Sequence, residues 1–347
     1  MRRLVLLSVT VAVIGLTFAY LLPKIGGYRH AWTLVLGLSA SWVGILAACA
    51  AFDLATFAPP WQAALPGLRF WPALAVTQAS TAASLVAPAG SAVGMAVAYR
   101  FLRRRGFSTA ETGRAVALTS LWNQLGNVAY PLVALCLLAA SGRGSSGLAA
   151  AGAVGGCVLA VVLGGGMLAA RSERLAYGIG ERAARAANVG RRSLRLAPVR
   201  WSGRTLEVFR LEAVALLRMR WLALTVSTVV NALATLLTLT ACVRALGVPA
   251  SRISLLELFS AWALSRLVSG IELTPGGFGV FELTLSGSLV GFGGPGPAVV
   301  AAVLLYRALT VLPTLAAGLL VIAAAHLRSD AQQAPARSGR REGQGSP

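Results

Sequence analysis

The chain has 347 residues, 56% of them hydrophobic and 12% charged, with a mean hydropathy of +0.73. So few charges on so apolar a chain exclude a soluble core and predict an all-α polytopic membrane protein. A net charge of +20 would suggest nucleic acid in a soluble protein. Here the cations mostly flank apolar runs, so topology and anionic headgroups account for them and no nucleic-acid partner is expected.

In chain order, Met1-Arg2-Arg3 precedes a first span at Leu4–Leu22, read as uncleaved because no clear small-residue cleavage site follows it. A second span runs from about Ala31 to Phe52, with Asp53 at its end and a Pro/Trp/Ala-rich interfacial connector over Leu54–Arg69. Phe70–Phe101 is apolar but broken at Pro88-Ala89-Gly90, and a basic group, Arg100 to Arg114, follows it. A span at Ala115–Ala140 carries Asn123, Gln124, Asn127 and Pro131. Another is predicted at Leu148–Ala170, before the polar stretch Arg171–Arg220. Within that stretch, the leucines and charges of Leu206–Arg218 predict an amphipathic helix lying on the anionic cytoplasmic surface. Trp221–Val243 is the next span, Leu255–Gly291 a second broken segment, and Ala298–His326 the last span, followed by a polar tail expected to be disordered.

Charge orients this parse. If each broken segment enters and leaves on the same side, the N-terminus, 54–69, 100–114, 171–220 and the tail all face the cytoplasm. They then hold 24 of the 31 Lys+Arg, as the positive-inside rule requires. Re-entrant hairpins and pairs of full spans both satisfy it. About eight spans in two inverted units, roughly 1–140 and 148–326, follow from this topology within one membrane domain. Paired Gly/Pro-broken segments are a transporter pattern.

The second break is Glu272-Leu-Thr-Pro275-Gly276-Gly277-Phe-Gly279-Val-Phe-Glu282. Proline removes a backbone donor and glycine disfavours helix; in hydrocarbon, backbone groups so released must be satisfied by protein or trapped water. A helix restarting after Pro275-Gly276-Gly277 points its N-terminal amides inward, where they favour an anion, and one restarting beyond Pro88 and Gly90 does so from the other side. Arg266, Glu272, Glu282 and Arg307 lie in apolar surroundings, where an ionisable residue faces a cavity or a partner. They either neutralise one another or offer a grip on phosphate, and a substrate can exchange into a resting ion pair. Asn123, Gln124 and Asn127 are either interhelical glue or cavity-lining groups. Asp53 and Glu257 lie nearer the interfaces and are weaker candidates.

The four cysteines and two histidines show no metal or disulfide spacing, and no nucleotide loop or nucleophile–histidine pattern appears. No cofactor and no enzyme activity are expected.

Pro275–Glu282, with Leu304-Leu-Tyr-Arg307-Ala-Leu-Thr310 and Pro313 downstream, resembles the flippase-like transmembrane domain of lysylphosphatidylglycerol synthases. Pro88-Ala89-Gly90 followed by Tyr99–Gly106 resembles that domain's first broken segment, and the likeness spans about residues 4 to 326. It implies about eight spans, two membrane-embedded broken segments and lipid translocation between leaflets. The synthases carry a soluble catalytic domain after the membrane region, whereas only a short polar tail follows here, so synthesis of aminoacyl lipid is not expected. The sequence therefore predicts a cell-membrane flippase or transporter for an anionic or zwitterionic amphiphile, with both termini cytoplasmic. The rival reading is a non-transporting scaffold whose basic loop docks an envelope-biosynthesis enzyme.

Overall fold

The computed structural model describes residues 35–87, 90–141, 203–270 and 275–333. The expected spans at 4–22 and 148–170, Pro88, Glu272, most of the basic loop and the end of the tail lie outside the described residues. What is described is helical, with no strand among the described residues. Four stretches there are long and apolar enough to cross a membrane: Ala40–Ala64, Thr109–Ala140, Met219–Ala245 and Gly296–Ala324. Three of them coincide with predicted spans, whereas Ala40–Ala64 only overlaps the predicted Ala31–Phe52, starting later and running on into the expected connector.

The first of these is α1 (Ala40–Thr56), which passes through Phe57 into α2 (Ala58–Ala64). The Leu54–Arg69 connector is thus largely helical, and it is buried rather than interfacial: Ala58, Trp61, Ala64, Leu65 and Leu68 all belong to the core. Proline is compatible with a helix start, so Pro59 and Pro60 at the opening of α2 break the ladder without ending the helical run.

The two broken segments form helical hairpins. α3 (Phe70–Val86) and α4 (Gly90–Arg104) make the first; α7 (Leu255–Ser269), the 3-10 turn Pro275–Gly277 and α8 (Val280–Gly291) make the second. Their arms of 12 to 17 residues reach only about 18–26 Å at 1.5 Å per residue, short of the ~30 Å hydrocarbon core. Length therefore favours hairpins that enter and return over pairs of full spans.

Between them, α5 (Thr109–Ala140) starts with a reciprocal cap in which Ser108 and Glu111 bond each other's backbone amides. Ser254 and Glu257 do the same at the start of α7, so Glu257 caps a helix. α6 (Gly203–Ala245) is one helix of 43 residues, roughly 64 Å long, which exceeds even a bilayer with its headgroups. The helix expected to lie on the surface over 206–218 instead continues directly into the span. α9 (Gly296–Gln333) likewise runs past His326 into the segment expected to be a tail.

The packing is reciprocal. α3 of the first hairpin lies on α9, and α7 of the second lies on α5; α6 packs on α1, and the hairpin tips meet where α3 touches the Pro275–Gly277 turn. One apolar core gathers around each hairpin. Trp61, Val76, Leu102 and Leu224 lie in the core around the first hairpin, and Trp262, Leu285, Leu289 and Val303 in the core around the second. Large apolar side chains such as Trp71, Met219, Leu312 and Leu320 are exposed on the outer surface, a pattern suited to lipid rather than to water.

Close helix crossings depend on residues without a side chain. A Cβ on Gly318 would stand 2.4 Å from the Gln78 carbonyl oxygen and 2.4 Å from the Ala82 Cβ, so α9 seats directly on the α3 backbone. Gly318→Leu is expected to lower the thermal midpoint in detergent, by about 1–3 kcal/mol of stability from overpacking. Gly113→Ala, where a Cβ meets nothing within 4 Å, should be neutral or mildly stabilising in the same melt.

Candidate functional site

Two polar stripes converge inside this apolar chain. On α3, Thr77, Ser80, Thr81 and Ser84 recur at helical spacing; on α6, Thr228, Asn231 and Thr235 do the same, and all of them line one cavity of about 860 Å³. Several of these hydroxyls donate back to their own helix: Thr77 to the Ala73 carbonyl at 2.9 Å, Ser84 to Ser80 at 3.0 Å and Thr228 to Leu224 at 2.7 Å. A hydroxyl has one proton and two lone pairs. Back-bonding therefore leaves a wall of acceptors facing the cavity.

The hairpin tips supply another wall. Gly276, Gly277 and Gly279 adopt φ of 64°, 66° and 84°, in the left-handed region that side chains disfavour. Space adds to the requirement: a Cβ on Gly276 would meet Leu85 Cδ2 at 2.8 Å, and one on Gly277 would meet Ser269 Cβ at 2.9 Å. Gly90 approaches the Ser84 carbonyl in the first hairpin in the same way. Pro275 opens the 3-10 turn.

Beyond the turn, α8 restarts at Val280 with Gly279 as its N-cap. The Gly279 amide is already taken, donating to Glu282 Oε2 at 2.6 Å. Glu282 Oε1 in turn accepts from Arg307 Nε at 2.5 Å, with the two side chains 10% and 12% exposed. The expected open anion site at this helix start is thus occupied by the helix's own third residue. Arg307 is held further by a long 3.4 Å bond to the Gly276 carbonyl and lies 4.9 Å from the centroids of both Phe278 and Phe281, contacts that suit a flat cation.

Arg266 differs. The sequence leaves it either sharing the two carboxylates with Arg307 or gripping phosphate; among the described residues it reaches across to α5. Its Nε and Nη2 donate to Asn127 Oδ1 at 3.1 and 2.9 Å, and Nη2 also to Asn123 Oδ1 at 3.4 Å. The guanidinium stands 5.1 Å from the Trp262 ring centroid, and Trp262 donates to the Tyr306 hydroxyl at 3.2 Å. These partners are neutral, and Arg266 is in no ion pair among the described residues. Asn123 and Asn127 thus both bridge helices and line the cavity, with Gln124 bonded to Asn127 at 2.9 Å. Glu272 and Pro88 lie outside the described residues.

Asp53 was placed near an interface by the sequence; the fold instead buries it at 3% exposure on the cavity wall. Thr235 of α6 donates to its Oδ1 at 2.7 Å. Asn231 donates to Thr56 at 2.9 Å, and Thr56 to the Asp53 carbonyl at 2.7 Å. The signal that points to this cluster is the hydroxyl–amide stripe on α6, visible in the sequence at Thr228, Asn231 and Thr235.

Membrane-length helices enclosing a polar cavity with two arginines and a buried carboxylate define a polytopic α-helical membrane protein with an internal polar site. The family model of the lysylphosphatidylglycerol synthase TM region matches residues 5–318, and the chain belongs to that family, which ties it to membrane lipid. No curated protein matches it.

The Glu282–Arg307 pair admits a direct test. Alanine at either position should destabilise the protein, because each leaves a largely buried charge without its partner. The double variant should be less destabilised than the sum, with a coupling of about 1–3 kcal/mol in a double-mutant cycle read from thermal melts. Additive losses would mean that the pair contributes nothing.

Proposed function

We propose that the protein moves an anionic or zwitterionic phospholipid, or a lipid-linked amphiphile, between the leaflets of the cell membrane. The headgroup passes through the cavity between the hairpin tips while the acyl chains stay in lipid. The observation that carries this reading is Arg266, a guanidinium in membrane-embedded surroundings that faces the cavity with neutral amides as its hydrogen-bonding partners among the described residues. Such a charge is costly without a counter-ion, and a phosphate supplies one with matching bidentate geometry. Arg307 gives a second contact if the phosphate replaces Glu282, whose carboxylate can stay on the Gly279 amide.

The reading is of a transporter rather than an enzyme, in the cell membrane with the basic segments on the cytoplasmic side. The two hairpins act as opposed halves of an inverted arrangement. Their reciprocal packing, α3 on α9 and α7 on α5, supports this, as does the family's tie to membrane lipid.

In proteoliposomes, movement of a fluorescently labelled phospholipid should be abolished by Arg266→Ala and by Arg307→Ala, with each variant retaining a cooperative melt. Arg266→Lys should recover little, because an ammonium cannot reproduce the planar fork. Undiminished lipid movement in Arg266→Ala would overturn this assignment.

A further inference from the structure

Asp53 sits in the last turn of α1, 3% exposed, on the cavity wall. It is in no ion pair among the described residues. The charged and titratable groups facing it are committed or neutral. Arg266 from α7 acts on it electrostatically but gives its Nε and Nη2 to Asn127. From α9, Arg307 holds Glu282, and Tyr306 accepts from Trp262. A carboxylate removed from water in this way takes up either a proton or a cation.

The groups around it are oxygens. Thr235 and Thr56 hydroxyls lie in its hydrogen-bond cluster. Asp53 Oδ2 and Asn231 Oδ1 accept no protein hydrogen bond among the described residues. The backbone contributes as well. In a continuous helix the Thr56 carbonyl would receive the amide of the residue four ahead, but that residue is Pro60, which has none. The break at Phe57 thus deprives the Thr56 carbonyl, at the negative end of α1 and three residues beyond Asp53, of its helical donor.

We infer that Asp53, Thr56, Asn231 and Thr235 bind one sodium ion. Carboxylate, hydroxyl, amide and carbonyl oxygens are hard donors that suit a hard cation, and a single carboxylate balances a single charge where divalent sites gather more. Helix breaks with released carbonyls are where transporters hold coupling ions. A bound ion also changes the other side of the cavity. It cancels the carboxylate that partly offsets Arg266, so a phosphate binds Arg266 more strongly when sodium is present. This coupling clause rests on the transporter reading; the ion site does not.

The test is a thermal melt of the purified full chain in detergent, with sodium chloride replacing choline chloride at constant ionic strength. The midpoint of the wild type should rise saturably by about 2–4 °C or more, and Asp53→Asn should lose the rise. Should that variant fail to fold, Thr235→Val carries the test, with its half-maximal sodium concentration raised about tenfold. A wild-type midpoint that ignores sodium, or follows pH alone, overturns the site, as does a wild-type rise in Asp53→Asn. Labelled-lipid movement with and without a sodium gradient separates the two readings. Sodium stabilisation without lipid movement keeps the ion site and sinks the transporter; lipid movement without sodium stabilisation does the reverse.

Discussion

One carboxylate holds the second hairpin tip together. Glu282 offers one oxygen to the amide of Gly279 and the other to the guanidinium of Arg307. The first contact stops the break after Pro275 from leaving a helix start unsatisfied in an apolar setting, where such a group costs several kcal/mol. The second ties α8 to α9, and with it the turn whose glycines touch Leu85 and Ser269. A glutamate in an apolar run would be a liability in isolation. Here two obligations, an orphan amide and a buried arginine, are met by the same side chain, so the break, the cation and the carboxylate are each tolerable because the others are present.

The same logic explains how a hydrophobic chain encloses a polar cavity. Serine and threonine can satisfy their own proton on the preceding turn, which lets α3 and α6 carry polar stripes without needing partners in lipid. The lone pairs left over make the cavity wall rich in acceptors, and the arginines are its strong donors. Opposite chemistry is therefore separated in space, with Arg266 against α5 and Asp53 against α6. The two sides of the same cavity are thus chemically different.

Much of this was legible in the sequence. A proline and three glycines in an apolar segment mark a break by local rules alone, and Arg266, Glu282 and Arg307 stand out because charge is rare there. Pairing was less legible. Charge alone offers Arg266 a carboxylate or a phosphate and says nothing of Asn127, 139 residues away, which it meets because α7 packs on α5. Asp53 reads as nearer an interface because it ends the Ala31–Phe52 run, before the Pro/Trp/Ala-rich connector Leu54–Arg69. The structure carries the helix on into that connector, and Thr235, 182 residues on, closes over the carboxylate. Both gaps have one source: local periodicity fixes which residues are polar, but only helix pairing fixes which of them meet.

The contact between the hairpin tips constrains how such a cavity can change. Leu85 of the first hairpin rests where a Cβ of Gly276 would be, and Ser269 where a Cβ of Gly277 would be; the arms behind them are short and each is anchored on a long span of the other half. A tip made of consecutive left-handed glycines has little side-chain packing of its own to break. The strong bond at that point, Glu282 to Arg307, joins α8 to α9 and not one hairpin to the other. Separation of the tips thus costs mainly the van der Waals contact of Leu85 with Gly276, while each hairpin keeps its internal hydrogen bonds and the second keeps Ser269 against Gly277. The molecule is held tightly within each hairpin-and-span unit and loosely between the two tips, which is where the proposed transport would need the cavity to open.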